Sequence, residues 1–169
     1  MALSLARALK LRRAPGGTAP DYDAALAIWN RIETRFKRAS DYASLTHGEQ
    51  LFHRVFFALD SEVENGGLHQ YLENSSGDDA ERVKADLTEI GAAELRKVLD
   101  DLSGLFPSHD IPEERVARLD ALAESEENVE NFDELFEEAD AQYGRAAQTL
   151  YTHLMNYVET HRSEFALPD

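Results

Sequence analysis

The sequence predicts an all-α fold, a single irregular bundle of about eight or nine short helices. Apolar residues recur at alternating spacings of three and four along most of the chain, which is typical of amphipathic helices. No segment shows the sustained period-two alternation of a strand. With 169 residues, 43% of them apolar, the chain is large enough for one hydrophobic core. We assign residues 21–169 to one helical domain and residues 1–20 to an N-terminal arm and linker.

The first 20 residues differ in character from the rest. Arg7 and Lys10 interrupt the apolar stretch of residues 1–13, which is not typical of a secretory signal and favours an arm or short helix. The same acid-free, Arg-bearing composition is also found in transit peptides. The following APGGTAP stretch predicts a flexible connector. No stretch is apolar enough to cross a membrane, and cysteine is absent, so we expect a cytoplasmic protein without membrane association.

The first two helices have recognisable start and stop signals. Pro20-Asp21 opens the first helix, and Thr46 with Glu49 three residues later predicts a capping box at the start of the second. Asn65-Gly66-Gly67 ends the second helix, because glycine adopts the left-handed conformation found just past helix ends. The apolar stripes of these helices are Tyr22, Ala25, Trp29, Ile32 and Phe36, and then Phe52, Val55, Phe56, Leu59 and Val63.

The remaining helices follow one another through short breaks. A short helix spans residues 68–74, and the NSSG sequence of residues 74–77 separates it from the next. Gly91, Pro107 and Gly144 are predicted to end later helices, and Pro112 and Asn131 are predicted to start others. The later stripes are Ala80, Val83, Leu87 and Ile90; Leu95, Val98, Leu99, Leu102 and Phe106; Val116, Leu119 and Leu122; Phe132, Leu135, Phe136, Ala139 and Tyr143; and Ala147, Leu150, Tyr151, Leu154 and Val158.

Residues 62–77, EVENGGLHQYLENSSG, form the most distinctive motif of the chain. Two glycines allow one helix to end and the next to begin within two residues, and Gln70 and Asn74 share one helix face. One interpretation is a polar network that fixes a tight corner between helices. The other is a pocket in which Glu62, Asn65, Gln70 and Asn74 bind a small polar ligand. The motif residues are Glu62, Asn65, Gly66, Gly67, Gln70, Tyr71, Asn74, Ser75 and Gly77.

This motif resembles the signature of a bacterial family of small helical proteins named for a DNA-mimic protein. The likeness extends from about Leu51 to Pro107 and includes Ile90-Gly91-Ala92. Leu68 is a mild departure, since an aromatic residue is more usual there, and the C-terminal third is similar only in being helical and acidic. The resemblance implies a protein without catalytic activity that presents carboxylates in place of DNA phosphates.

The charge distribution is strongly uneven. The chain holds 33 acidic and 17 basic residues, a net charge of −16, so direct binding to nucleic acid phosphates is not expected. Residues 113–140 contain twelve acids and only two bases, Arg115 and Arg118. We predict a partner-binding surface there, made of Glu113, Glu114, Glu124, Glu126, Glu127, Glu130, Asp133, Glu134, Glu137, Glu138 and Asp140, with help from carboxylates of residues 62–86.

The helix predicted over residues 132–143 concentrates this charge. Its acids, which are expected to point away from the apolar stripe, are Asp133, Glu134, Glu137, Glu138 and Asp140. Like charges four residues apart destabilise a helix by roughly 0.2–0.5 kcal/mol per pair. Five carboxylates over about 10 Å of helix approach the charge density of duplex DNA, about one charge per 1.7 Å. An ordinary solvated acidic face is the alternative interpretation.

Catalytic signatures are missing from the sequence. It contains no nucleophile elbow, Walker loop, dinucleotide-binding glycine motif or His-Glu-x-x-His pair. The six histidines are not spaced as a convincing metal site, and no calcium loop is present. We therefore predict no catalytic residues, no metal and no cofactor, and we rank an enzyme behind the binding hypotheses.

Two functions remain as hypotheses. The first is an acidic interaction protein whose carboxylates occupy the DNA-binding surface of a basic partner such as a transcriptional regulator. An immunity-type inhibitor of a basic toxin is a variant of it. The second is a cytosolic binding module or housekeeping protein with a ligand pocket at the Asn-Gly-Gly corner, residues 62–77. A homodimer is plausible, because a two-fold acidic surface would match dimeric DNA-binding partners.

Overall fold

A computed structural model describes residues 20–35 and 39–167 and confirms the all-α class. No strand occurs within these ranges. The α-helices are α1 (Pro20–Arg35), α2 (His47–Phe52), α3 (Ser61–Glu73), α4 (Ala80–Glu89), α5 (Ala93–Ser103), α6 (Arg115–Asn128), α7 (Phe132–Ala146) and α8 (Leu150–Thr160). A π-helix spans His53–Asp60, and 3₁₀ helices span Ala39–Ser44, Ser75–Asp79, Ala147–Thr149 and Arg162–Phe165.

Some sequence predictions fall outside this part of the chain. The arm proposed for residues 1–20 lies outside it except for Pro20, which is the first residue of α1. Phe36, the last residue of the first predicted stripe, is outside it as well. Among the described helices, none combines the length and the apolar character needed to cross a bilayer.

A capping box starts α2, as the sequence predicted. The Glu49 backbone N–H donates to Thr46 Oγ1 (3.2 Å), and the Thr46 N–H donates to Glu49 Oε2 (3.0 Å). The Glu49 side chain is buried and also accepts from Arg35 of α1. The cap therefore orders the start of α2 and, through Glu49, joins it to α1.

A π-helix replaces the continuous α-helix that the stripe from Phe52 to Val63 predicted. It carries two charged residues into the interior, Arg54 and Asp60. Arg54 donates two hydrogen bonds to the Asp86 carboxylate of α4, at 2.6 and 2.9 Å. A spacing pattern of apolar residues does not reveal such polar contacts between distant segments, which explains why the sequence predicted an ordinary helix.

The core lies where α1, α8 and the π-helix meet and continues between α3, α4, α5 and α7. Trp29 of α1 stacks on Phe57 of the π-helix, with ring centroids 4.7 Å apart. Trp29, Phe56 and Phe136 are all buried, in agreement with their predicted packing. The α3 helix contacts both the π-helix and α7, so the Asn-Gly-Gly corner lies against the most acidic helix.

The inner face of α6 differs from its predicted stripe. Leu122 is buried as expected, but Val116 is 61% exposed, and the residues buried beside Leu122 are Arg118 and Ser125. The prediction for Val116 was wrong because α6 packs against α3 through the Arg118 side chain. The donors of Arg118 are directed at backbone carbonyls and at one carboxylate.

Asn131 starts α7 as predicted, whereas Gly144 does not end it. Asn131 precedes α7 in a left-handed conformation with φ 60°, and its side chain makes no capping hydrogen bond. Gly144 lies inside α7, which continues to Ala146. By contrast, Gly91 follows α4 with φ 78°, as expected for a glycine that ends a helix.

Candidate functional site

The predicted carboxylates of residues 124–138 are exposed, and they lie on α6, on α7 and in the connection between these helices. We define the acidic surface as the eight exposed residues Glu124, Glu126, Glu127, Glu130, Asp133, Glu134, Glu137 and Glu138. None of them forms an ion pair with another residue in the described ranges. The segment between Arg118 and Arg145 contains no lysine or arginine. These eight charges are therefore open to solvent or to a partner.

The two bases of the acidic segment do not neutralise this surface. Arg118 is completely buried. It donates to the backbone carbonyls of Leu72 (2.5 Å) and Asn74 (2.8 Å) and to Asp78 Oδ1 (2.7 Å). Arg115 donates to the Glu73 carbonyl at 2.7 Å. Both guanidinium groups thus serve the C-terminal end of α3, where helix carbonyls lack partners within the helix.

Carboxylates on α4 and α5 differ from those of the acidic surface, because most of them form ion pairs. Asp100 accepts from Arg96 (3.0 Å) and forms an ion pair with Lys84 (3.1 Å). Burial disfavours the ionised form of Asp100, but the hydrogen bonds from Arg96 and Lys84 outweigh that effect and lower its pKa. The other pairs in this region are Asp79 with Arg82, Glu81 with Lys84, and Asp101 with Lys97.

Carboxylates of residues 62–86, expected to widen the surface, are mostly engaged within the protein. Glu62 accepts from Asn74 Nδ2 at 2.8 Å. Asp78 binds Arg118, and Asp86 is buried with Arg54. Since Asp79 and Glu81 are paired as well, this segment adds little free negative charge to the acidic surface.

Two predicted surface residues at the start of α6 have local partners. Glu113 is exposed and forms an ion pair with Arg82 at 3.0 Å. Glu114 caps α6 by accepting from the backbone N–H groups of Val116 (3.1 Å) and Ala117 (2.7 Å). The N–H groups of Ala117 and Val116 lower the pKa of Glu114, because they bind its ionised form.

Asp140 does not lie on the outward face of α7 where the sequence placed it. Its side chain is half-buried, and Oδ1 accepts from the backbone N–H of Leu68 at 2.8 Å. Its position four residues beyond Phe136 and three before Tyr143, both buried, turns it toward α3, which packs on α7. Asp140 therefore joins the acidic helix to the Asn-Gly-Gly corner.

The corner itself is the helix break that the sequence predicted. Gly67 has φ +80° and interrupts the helical geometry between Ser61 and Glu73. A Cβ atom at Gly67 would lie 2.5 Å from Asp140 Oδ2, so a side chain there would displace that carboxylate. The Gln70 side chain lies over Gly66, where a Cβ atom would be 2.1 Å from its Oε1.

The other motif residues also contribute to the join between helices. Tyr71 is completely buried, and this burial raises its pKa well above the usual range. Gly77 lies against Arg118, and a Cβ atom there would be 2.9 Å from Nε. Asn65 and Ser75 are exposed. Within the corner, Asn74 donates to Glu62, whereas the buried Tyr71 hydroxyl has no hydrogen-bond partner among the described residues. The polar-network interpretation is therefore supported at Glu62 and Asn74 only.

Two cavities lie away from the corner. One, of about 160 Å³, is lined by Arg31, Arg35, Glu49 and Phe165 among others. A second, of about 290 Å³, lies beside Gly91 and His153. Within the described ranges, no three histidine, aspartate or glutamate side chains are grouped as metal ligands would be.

Sequence reasoning missed three polar residues in this region. Asp120 is exposed on α6, and its position four residues before Glu124 was a readable signal for adding it to the acidic set. Arg118 gave no such signal, since an arginine in an acidic segment is ordinarily solvated. Asp60 gave none either, yet it is buried and accepts from Tyr143 (3.0 Å) and Tyr151 (2.7 Å).

The fold and site together define an all-helical protein whose exposed acids on two consecutive helices, and in the connection between them, have no ion-pair partner among the described residues. A family model described as DMP19-like protein matches residues 43–161. The chain belongs to the DMP19-like protein family, which is named for DNA mimic protein 19. This match extends well past the Leu51–Pro107 likeness and includes α6 and α7. Neither the comparison with curated proteins nor that with solved structures gave a match.

Proposed function

We propose that this protein is a DNA mimic whose acidic surface occupies the DNA-binding face of a basic protein such as a transcriptional regulator. One observation carries the proposal. The eight carboxylates of the acidic surface are exposed and have no ion-pair partner among the described residues, whereas most acids on α4 and α5 are paired. Unpaired charge on the outer faces of two helices is available to a partner without breaking existing contacts.

The spacing of these charges matches the chemistry of the proposed partner. Asp133, Glu134, Glu137 and Glu138 lie within six residues of helix, a rise of about 7.5 Å. That is one charge per roughly 2 Å, near the value of about 1.7 Å for duplex DNA. A groove whose lysines and arginines bind phosphates can therefore bind these carboxylates instead, and the two ligands compete.

The proposed activity is binding without catalysis, in keeping with the family. The ligand-module alternative receives less support, because Glu62 and Asn74 bond to each other and Tyr71 is buried. Competition of this kind predicts that binding depends on the salt concentration, because the contacts are between exposed charges. Binding should weaken steeply as ionic strength rises and the Debye length shortens from about 10 Å at 0.1 M.

The test begins with immobilised protein and cell lysate, eluted in salt steps. Each retained protein is identified, purified and bound to fluorescent duplex DNA that it recognises. Wild-type protein is expected to displace that DNA, as followed by fluorescence anisotropy. A variant with Glu134, Glu137 and Glu138 changed to Gln is expected to need about tenfold to hundredfold more protein, since each charge pair contributes about 0.5–1 kcal/mol.

A matched control removes the same number of charges elsewhere. Asp23→Asn, Glu94→Gln and Asp110→Asn alter three exposed carboxylates outside the acidic surface, and this variant should displace DNA as wild type does. Equal weakening by both triple variants would show that net charge alone acts and would refute the proposed surface. Retention of no DNA-binding protein by the wild type would refute the function.

A further inference from the structure

We infer that Asp140 is a positioning residue, which holds α7 against the Asn-Gly-Gly corner so that the acidic surface is presented in one fixed orientation. The inference rests on the proposed function. It assigns to the Asn-Gly-Gly corner, residues 62–77, the role of orienting the acidic helix. The corner then fixes the orientation of α7. Asp140 contributes by its hydrogen bond to the corner and not by binding the partner through its charge.

The contact between Asp140 and the corner is specific. Gly67 breaks α3, so the backbone N–H of Leu68 lies in the first turn of a new helical segment and has no helical acceptor. Asp140 Oδ1 accepts from this N–H at 2.8 Å. A carboxylate at a helix N-terminus is also favoured by the positive end of the helix dipole. The close approach requires a glycine at position 67, as the 2.5 Å distance from a Cβ atom to Oδ2 shows.

Two further contacts hold the same face of α7. One turn beyond Asp140, the Tyr143 hydroxyl donates to Asp60 Oδ1 at 3.0 Å. One turn before it, His69 packs on Phe136, with ring centroids 4.8 Å apart. Asp60 and His69 flank the Asn-Gly-Gly break, so one short segment of the chain contacts three successive turns of α7.

Fixing α7 in this way matters for binding. The contacts to Phe136, Asp140 and Tyr143 all come from its inner face, while Glu134, Glu137 and Glu138 remain exposed. A surface held in its binding orientation loses less conformational freedom on association than a mobile one. Because Glu134, Glu137 and Glu138 lie on one helix, rotation of α7 would move these carboxylates together relative to the partner's basic groups.

Two substitutions separate geometry from charge. Asp140→Asn removes one charge, but its Oδ1 can still accept from the Leu68 N–H. Gly67→Ala keeps every charge but places a Cβ atom only 2.5 Å from Asp140 Oδ2 and strains a backbone with φ +80°. If Asp140 positions α7, only the second change should disturb the helix. Asp140→Ala removes both charge and acceptor, and it serves as a further comparison.

The first readout needs no partner. The chain has no cysteine, so spin labels can be attached at Ala85→Cys on α4 and Ala141→Cys on α7, both at exposed positions. The distance distribution between the labels should broaden or shift in Gly67→Ala and Asp140→Ala and stay as in the wild type in Asp140→Asn. Amide exchange at Leu68 should accelerate in the same two variants, and circular dichroism checks that each variant is folded.

The second readout is DNA displacement, with the regulator recovered in the lysate experiment as the probe. Gly67→Ala and Asp140→Ala should weaken displacement about fivefold or more through lost preorganisation, and Asp140→Asn should stay within about twofold of wild type. Equal weakening by Asp140→Asn and Asp140→Ala would show that Asp140 acts through its charge and would overturn the inference.

The two proposals fail in different ways. If the wild type retains no DNA-binding protein, the proposed function fails, while the label distances still decide whether Asp140 positions α7. If the wild type displaces DNA and folded Gly67→Ala does so equally well with unchanged label distances, the positioning role alone is refuted. Should Asp140→Ala not fold, Gly67→Ala and Asp140→Asn still give opposite expectations.

Discussion

Asp60, Arg54 and Arg118 are charged residues inside the core, and each is accompanied by groups that satisfy it. Asp60 accepts from two tyrosine hydroxyls, and Arg54 binds Asp86 through two nitrogens. A charge buried without partners would cost several kcal/mol. These residues therefore fix which helices meet, since each charged group is satisfied only when its particular partners are in place.

His53, at the start of the π-helix, should make stability depend on pH. Burial, aided by the nearby Arg54 charge, lowers the pKa of His53 to about 4, against about 6.5 when unfolded. Between these values the unfolded chain holds a proton that the folded protein lacks. Stability should therefore fall as pH drops from about 6.5 to about 4, by at most about 1.4 kcal/mol per pH unit.

The variant His53→Phe isolates this contribution, because it keeps a ring beside Trp29 and Phe57 and cannot take up a proton. Urea unfolding of both proteins across that pH range should give stability curves that converge or cross as the pH falls, with the wild type losing more. Parallel curves would mean that His53 does not titrate differently in the folded and unfolded states.

At the scale of elements, the ends and breaks of α3 organise the neighbouring helices. Its N-terminal side continues the π-helix, its glycine break receives Asp140 of α7, and its C-terminal carbonyls receive Arg118 of α6. Backbone N–H and carbonyl groups that would be hydrogen-bonded within a continuous helix therefore bind side chains of other helices. The acidic helices α6 and α7 are attached to the rest of the protein through these contacts.

Replacing Arg118 should test the attachment of α6. Arg118→Met keeps an apolar stem of similar shape but leaves the carbonyls of Leu72 and Asn74, and the Asp78 carboxylate, without their donor. We expect a loss of about 3–5 kcal/mol in the free energy of unfolding, the range for breaking a buried charged contact. Urea denaturation measures it, with Arg145→Met at an exposed position as the control, expected to stay within about 0.5 kcal/mol.

A loss for Arg118→Met no larger than that of the control would show that the buried guanidinium is replaceable by apolar packing. That outcome would also weaken the argument that α6 is attached to α3 through polar contacts.

At the scale of the molecule, acids with and without basic partners lie in different regions. In one region, α4 and α5, most acids are paired with bases. The other, α6 and α7, carries acids without such partners in the described ranges. The net charge of −16 is therefore not spread evenly, and its local density, rather than its total, is what a DNA-binding partner would recognise.

Removing one charge should have opposite effects in these two regions. Glu137→Gln relieves its repulsion with Asp133 and should raise the free energy of unfolding by about 0.2–0.5 kcal/mol. Asp100→Asn removes the partner of Lys84 and Arg96 and should lower it by up to about 1 kcal/mol. Thermal and urea unfolding at low ionic strength measure both, and added salt should shrink both effects.

Effects of the same sign in the two variants would contradict this contrast, since a uniform response would come from net charge alone. The expected gain in stability for Glu137→Gln also bears on partner binding. A substitution that stabilises the fold while weakening partner binding would indicate that the repulsion on α7 is retained for binding.

Local patterns along the chain are sufficient to predict the all-α class, most helix positions, the capping box at Thr46 and the break at Gly67, because these depend on local spacing and backbone preference. They also locate the acidic segment. The burial of Arg118, the π-helix of residues 53–60 and the orientation of Asp140 toward α3 are visible only in the packed fold. Those features depend on which carbonyl or N–H a distant helix offers, and no local pattern along the chain carries that information.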